Sequence, residues 1–219
     1  MVLTDWMGNW RGGPDAAIAT ERYAAVASRY DDSCHRIEPL RALALQLLDP
    51  QCGETVVDVA CGTAAATAVL ARRVGADGRV IGLELSPQMA AIARDRLHSL
   101  GLSQARIEVG RIEDARLNEP ADALFFSFTH DVLQQPAAIE SLRRMARPGA
   151  RYVVLGMRTL PWSWGWPVNL FVMWRARRYL TTFRGLPAPW ARLHAISREF
   201  RIVGAWHAGT SYLAQGRLE

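Results

Sequence analysis

The sequence predicts an α/β protein with a seven-stranded sheet. The sheet is mostly parallel, carries helices on both faces and ends in a C-terminal antiparallel hairpin. Three observations carry this. From residue 55 to 157, short apolar runs alternate with stretches of helix length, the rhythm of βαβ units. The runs are nearly continuous in Val, Ile, Leu and Phe, as expected of strands covered on both faces. After residue 195 the rhythm breaks, and two strand-like runs meet near Gly209.

Residues 14–30 are rich in Ala, Glu and Arg and read as a helix; Tyr23 and Tyr30, seven apart, share a face. A second helix covers residues 38–48 and stops before Pro50. Residues 55–59 form the first strand, bounded by Gly53 and a loop over 60–64, and residues 65–74 the helix that closes at Gly75. The second strand is 78–85, with a helix over 87–100 ending at Gly101. The third strand is 105–110 and the fourth 122–128, followed by a helix over 136–146. A Pro-Gly turn and the fifth strand occupy 147–156. Residues 159–193 read as irregular, with one helix over 168–183 beginning after Pro167. "FRIVGAWHAG" (200–209) and "TSYLAQGRL" (210–218) give the hairpin.

Half the residues are hydrophobic and 21% are charged, an ordinary globular composition, and 219 residues suit one domain. Within it, residues 1–50 read as an N-terminal helical lid and 158–195 as an aromatic, Arg-rich lid or insertion. Residues 1–13 have no apolar core of the secretory kind, and the apolar run 170–174 is far too short to span a bilayer. Cys34, Cys52 and Cys61 are odd in number and without paired spacing, which suits a reduced, cytoplasmic setting and no zinc site. All 26 basic residues are arginine, so none of these cations can accept a proton. Residues 1–150 carry 16 Arg and 19 acids, whereas 151–219 carry 10 Arg, two acids and six of the eight tryptophans. That basic, aromatic part suits an acidic substrate, a membrane surface or simple solvation.

The loop "ACGTA" (60–64) follows the first strand, where open α/β sheets bind ligands. A dinucleotide fingerprint needs three glycines, and only Gly62 is present. Asp58 precedes the loop within the strand, and Glu84 ends the second strand about 20 residues on, where a carboxylate can chelate a ribose diol. Asp58-Val59-Ala60-Cys61-Gly62-Thr63-Ala64 resembles motif I of the class I S-adenosylmethionine-dependent methyltransferases, an acid followed by x-G-x-G-x-G. "VIGLELSPQMAAIAR" (80–94) resembles the second motif and "RPGARYVVL" (147–155) the late Pro-Gly turn. Together they resemble the ubiquinone/menaquinone-methyltransferase-like, type 11 branch of this Rossmann-like family, over about residues 20–157 and the hairpin.

The resemblance implies S-adenosylmethionine as cofactor. It places Asp58, Ala60, Cys61, Gly62, Thr63 and Ala64 around its methionine and ribose. Glu84 and Leu85 fall at the ribose, Met89 behind the adenine, and Ser127 and Phe128 at the methionine end. It also implies that Tyr23 and Tyr30 cover the sulfonium, a cation that aromatic faces attract. Two positions depart from the pattern. Ala64 adds a methyl beside the cofactor. Arg111 stands where the family often has the acid that takes the adenine amine, so Ile112 through its backbone, or Glu113 or Asp114, takes that part.

Such a reaction needs chiefly alignment, and a base only where the acceptor must lose a proton. His130 and Asp131, after the fourth strand, are the candidate catalytic pair. Trp162, Trp166, Trp174 and Tyr179 are the candidate acceptor pocket, an aromatic box for a flat or cationic small molecule. The expected activity is methyl transfer to such a molecule. Cyclisation of the cofactor to azetidine-2-carboxylate with release of methylthioadenosine, or aminocarboxypropyl transfer, is an alternative of the same cofactor. A membrane-docked phospholipid N-methyltransferase, using weak surface contact through residues 158–193, is another. The arginines lack the runs and the separate reading domain expected of a nucleic-acid partner.

Overall fold

A computed structural model describes residues 12–219. The start of the expected 1–50 lid, and nearly all of the stretch read for a leader, lie outside them. Seven strands form one sheet in the order β3-β2-β1-β4-β5-β7-β6. They are β1 (Thr55–Val59), β2 (Arg79–Glu84), β3 (Ala105–Val109), β4 (Ala121–Ser127), β5 (Ala146–Met157), β6 (Ser197–Trp206) and β7 (Ser211–Leu218). β1 to β5 are parallel to their neighbours, and β7 runs antiparallel to both β5 and β6. The expected architecture is therefore present.

The helices are α1 (Ala16–Val26), α2 (Tyr30–Cys34), α3 (Glu38–Leu48), α4 (Ala65–Val74), α5 (Pro87–Ser99), α6 (His130–Gln134), α7 (Pro136–Met145), α8 (Trp162–Ala176) and α9 (Ala191–His194). All five residues of β1 are buried, because the central strand is covered on both sides. Alternate residues feed two cores. Val56, Val80, Ala123 and Phe125 pack with Leu45, Leu48, Leu70 and Ala93 from α3, α4 and α5. Val57, Ile81, Leu124 and Phe126 pack with Leu133, Ile139 and Leu142 from α6 and α7. β6 is the exposed edge, and its Arg198, Glu199 and Arg201 discourage pairing with another strand.

Two helices differ from expectation. The first breaks at Val26 into a 3-10 turn over Ala27–Arg29 and resumes at Tyr30. The second spans Trp162–Ala176 rather than 168–183, with Pro167 inside it. Pro167 removes one helical hydrogen bond, the one Ser163 would accept. Both residues are exposed, so water can meet that carbonyl. The early start is fixed by Leu160: its N–H donates to Asn169 Oδ1 at 2.8 Å and its carbonyl accepts from Asn169 Nδ2 at 3.0 Å. Gly165 allows the close approach, since a Cβ there would stand 2.4 Å from Leu160 Cβ. After Ala176 the chain turns, and Leu180, Phe183 and Leu186 pack back on Met173 and Ala176.

Candidate active site

The carboxyl ends of β1, β2, β3 and β4 surround a cavity of about 1050 Å³, part of it open to solvent. It lies where the strand order reverses, between β1 and β4. Ala60 and Gly62 line it from the first loop, Leu83 to Ser86 and Met89 from the second, and Gly110 to Glu113 from the third. Ser127 to Val132 line it after β4, and Asp15, Tyr23, Tyr30 and Tyr179 to Thr181 from above.

The first loop owes its shape to three left-handed residues: Ala60 at φ 52°, Gly62 at φ 59° and Ala64 at φ 62°. Glycine reaches this region freely, whereas an L side chain costs roughly 1–2 kcal/mol there. The loop thus keeps a glycine-like path although two of the three positions are alanine. The Ala64 methyl, expected beside the cofactor, lies in the core with no exposure and does not line the cavity. Gly62 forms the cradle. A Cβ there would meet Met89 Cε and Tyr30 Cε1, each at 3.6 Å, and so project between them.

Glu84 organises the loop. Its Oε2 accepts from the Gly62 N–H at 2.9 Å and its Oε1 from the Ser86 N–H at 2.8 Å. Burial raises its pKa, and these backbone donors oppose the rise. Asp58 lies beneath, 2% exposed, accepting from Thr67 Oγ1 at 2.6 Å. Burial pushes it up to about 7. It supports the loop from below rather than lining the cavity. Cys61 packs against Gly82, and burial raises its thiol well above the usual range. Thr63 donates to Asp31 Oδ1 at 2.6 Å, and Arg96 holds both Asp31 and the Thr63 carbonyl. Cys61 and Thr63 also lie outside the cavity lining.

Above the cavity three tyrosine rings converge. The centroids are 6.0 Å apart for Tyr23 and Tyr30, and 6.2 Å for each of these with Tyr179. Burial raises the Tyr23 and Tyr30 phenols above their usual range; neighbouring groups reinforce this at Tyr23, while at Tyr30 Cys34 and Glu84 reinforce it and Arg41 opposes it. Leu85, Met89, Ile112, Ser127 and Phe128 line the cavity, and Phe128 is itself left-handed at φ 58°. At the rim, Arg111 pairs with Glu113. The Trp pocket residues do not join this set. Trp162, Trp166 and Trp174 are 42%, 54% and 52% exposed on α8 and stand outside the lining; of the four expected pocket residues Tyr179 alone is in it. Aromatic content has no direction, and α8 turns these rings outward.

His130 and Asp131 both line the cavity, with unlike surroundings. Asp131 Oδ2 accepts from the Thr181 N–H at 2.8 Å and from its Oγ1 at 2.6 Å. Burial raises its pKa, these bonds opposing. His130 has no hydrogen-bond partner of normal geometry on either ring nitrogen. Burial pushes its imidazole down to about 4, the Arg184 backbone opposing in part. Ser127 Oγ and Thr129 Oγ1 also lack partners. Buried polar atoms are normally paired, so this group at one end of the cavity fits a polar ligand. Thr129, Asp15 and Thr181 carry no local motif, and the sequence reading missed them. Among the described residues no cluster of metal-ligating side chains is present.

Residues 56–149 match the family model described as a methyltransferase domain. The seven-stranded sheet around this stretch is the Rossmann-like methyltransferase fold. S-adenosylmethionine is the cofactor typical of this methyltransferase fold and family. The chain is 29% identical over 137 residues to a demethylmenaquinone methyltransferase of Oceanobacillus iheyensis, covering 59% of this chain and 58% of that protein. It is 30% identical over 144 residues to a ubiquinone/menaquinone biosynthesis C-methyltransferase of Methylococcus capsulatus, covering 61% and 57%. The chain thus spans less than two thirds of the length of these relatives. Among solved structures, a SAM-dependent methyltransferase from Aquifex aeolicus aligns with TM-score 0.59 at 18% identity, covering 90% of this chain and 98% of that one. The YcgJ protein of Bacillus subtilis aligns with TM-score 0.65 at 11% identity, covering 82% and 97%. These two likenesses concern the fold. Among the described residues no helix is long and apolar enough to cross a membrane.

Proposed function

We propose that the chain is an S-adenosylmethionine-dependent methyltransferase acting on a small-molecule acceptor. The observation that carries this is the cavity bounded by the Gly62 cradle and Glu84 on one side and by three tyrosines on the other. One relative is named a demethylmenaquinone methyltransferase and the other a ubiquinone/menaquinone biosynthesis C-methyltransferase, which supports a small-molecule acceptor.

S-adenosylmethionine, when bound, supplies an electrophilic methyl group together with its own leaving group. The chain's part is to hold, align and dry the reactants. The second lone pairs of the Glu84 carboxylate are available to a diol, and Met89 and Ile112 offer an apolar slot. Arg111 and Glu113 stand at the rim of that slot. The Tyr23, Tyr30 and Tyr179 rings would offer π faces to a positive sulfur; such contacts contribute roughly 0.5–2 kcal/mol each. Residues 12–30 and the segment after α8 act together as a lid that excludes water.

Of the two candidate bases, His130 has no partner of normal geometry on either ring nitrogen, whereas Asp131 is held through Oδ2 by Thr181 and keeps only Oδ1 free. An imidazole held near 4 is a weak base. It suits an acceptor whose proton is already acidic, or one that becomes acidic only as the new bond forms.

Purified chain incubated with S-adenosylmethionine, with and without an acceptor, tests this. S-adenosylhomocysteine that appears only with acceptor supports the proposal. Methylthioadenosine formed without any acceptor overturns it in favour of the cyclising chemistry. The phospholipid reading rests on the aromatic, basic segment alone and draws no support from the cavity.

A further inference from the structure

The outward face of α8 is the least ordinary surface of the described structure. Trp164 is 63% exposed, Phe171 58%, Trp166 54% and Trp174 52%, with Val168 and Leu170 exposed beside them. The helix buries only Gly165, Asn169, Met173 and Ala176. At 100° per residue the apolar exposed positions sweep roughly 200° of the helix. An apolar patch of that breadth marks an interaction surface. Along the chain on either side of it, the charge has one sign. Residues 141–198 contain 11 arginines and no acidic residue. Arg175, Arg177 and Arg178 stand at the C-terminal end of α8, with Arg177 over the Trp174 ring at 4.9 Å and Arg175 over Phe171 at 6.0 Å.

We infer that the outer face of α8 docks on the surface of a lipid bilayer bearing anionic headgroups. Residues 162–176 carry no acidic side chain, so this face offers a protein partner no carboxylate to recognise. Indole and phenyl rings suit the headgroup–acyl boundary, and arginine stems can lie along apolar surface while their heads reach lipid phosphates. A second copy of the chain is a poorer occupant. A two-fold contact on this face would bring two sets of arginines together with no acid between them. Tyr179 follows α8 directly, so docking would set the cavity's cover beside the bilayer. The inference does not depend on which reaction the cavity performs.

The test is sedimentation of the full chain with phosphatidylglycerol vesicles and with phosphatidylcholine vesicles at low and at high salt. Binding to the anionic vesicles that weakens with salt is expected. The double variant Trp164→Ser/Phe171→Ser, and separately Arg175→Glu/Arg178→Glu, should each weaken it by about tenfold or more. Neither pair lines the cavity, so cofactor binding by calorimetry should stay unchanged in both and reports that they are folded. Absence of binding to anionic vesicles overturns the inference. So does binding that both variants retain. A wild-type dimer in light scattering that the aromatic variant converts to monomer, without vesicle binding, assigns the face to a second copy instead.

Discussion

The Glu84 carboxylate accepts the Gly62 N–H at 2.9 Å across the gap between the second strand and the first loop. The contact ties the residue proposed to hold the ribose to the residue of closest backbone approach. Glu84→Gln keeps the shape but can accept from only one of the two N–H groups, turning its amide toward the other. Cofactor affinity should fall by about tenfold or more, since charge-assisted bonds are the strong ones. Thermal stability should change little, because removing a desolvated charge offsets the lost bond. Calorimetry and a melting curve on the same protein check both halves.

Ala60 and Ala64 share a left-handed backbone and differ in where their methyl groups go. Ala60→Gly should stabilise the chain by about 0.5 kcal/mol or more, the relief of strain exceeding the added freedom of the unfolded chain. Ala64→Gly gains the same relief but loses a fully buried methyl, worth roughly 0.8 kcal/mol, and should come out neutral or destabilising. Denaturant unfolding of the pair separates them.

Asp31 joins the N-terminal helices to the loop through Thr63 and Arg96. The ion pair is partly exposed, so its worth to global stability is small. Its effect should instead appear in the cofactor, with Asp31→Ala slowing association or speeding release several-fold while the melting temperature moves little. Stopped-flow binding measures this. Unchanged rates would show the contact to be only packing.

His130 and Asp58 titrate with opposite consequences. The folded imidazole sits near 4 and the unfolded one near 6.5, so its contribution is lost as pH falls from 6.5 to 4. Folded Asp58 sits near 7 and its unfolded value near 3.8, so its contribution is lost as pH rises from 4 to 7. At full strength the effects are on the order of 3 kcal/mol for His130 and 4 kcal/mol for Asp58. In the wild type they oppose. Asp58→Asn should therefore leave stability falling toward acid, and His130→Gln should leave it falling toward neutral. Unfolding free energies from pH 4 to 7 read the two slopes.

The sheet was legible because parallel buried strands write themselves as apolar runs, and β1 to β5 fall within a residue or two of where those runs stand. The convergence of Tyr23 and Tyr30 was legible from their spacing, even though the helix between them breaks. What the sequence concealed was direction and distance. Trp162, Trp166 and Trp174 are aromatic whichever way they point, and it is the Leu160–Asn169 bracket, with the packing of Met173 and Ala176, that fixes how α8 is turned. Pro167 reads as a breaker unless its exposed side is known. The Asp31–Arg96 pair spans 65 residues and the Asp131–Thr181 bond spans 50, so neither leaves a local pattern.

The segment after α8 does not rest on the cavity independently of the N-terminal helices. Thr181 Oγ1 takes the Asp15 N–H at 3.0 Å while giving its own proton to Asp131; Thr182 donates to the Gly12 carbonyl at 2.6 Å; and Arg22 donates to the Leu180 carbonyl at 2.5 Å. Two pieces of chain more than 150 residues apart therefore open as one gate. The amide protons of Asp15 and Thr181 should exchange with solvent at a common rate, and a ligand trapped beneath should leave no faster than that rate allows.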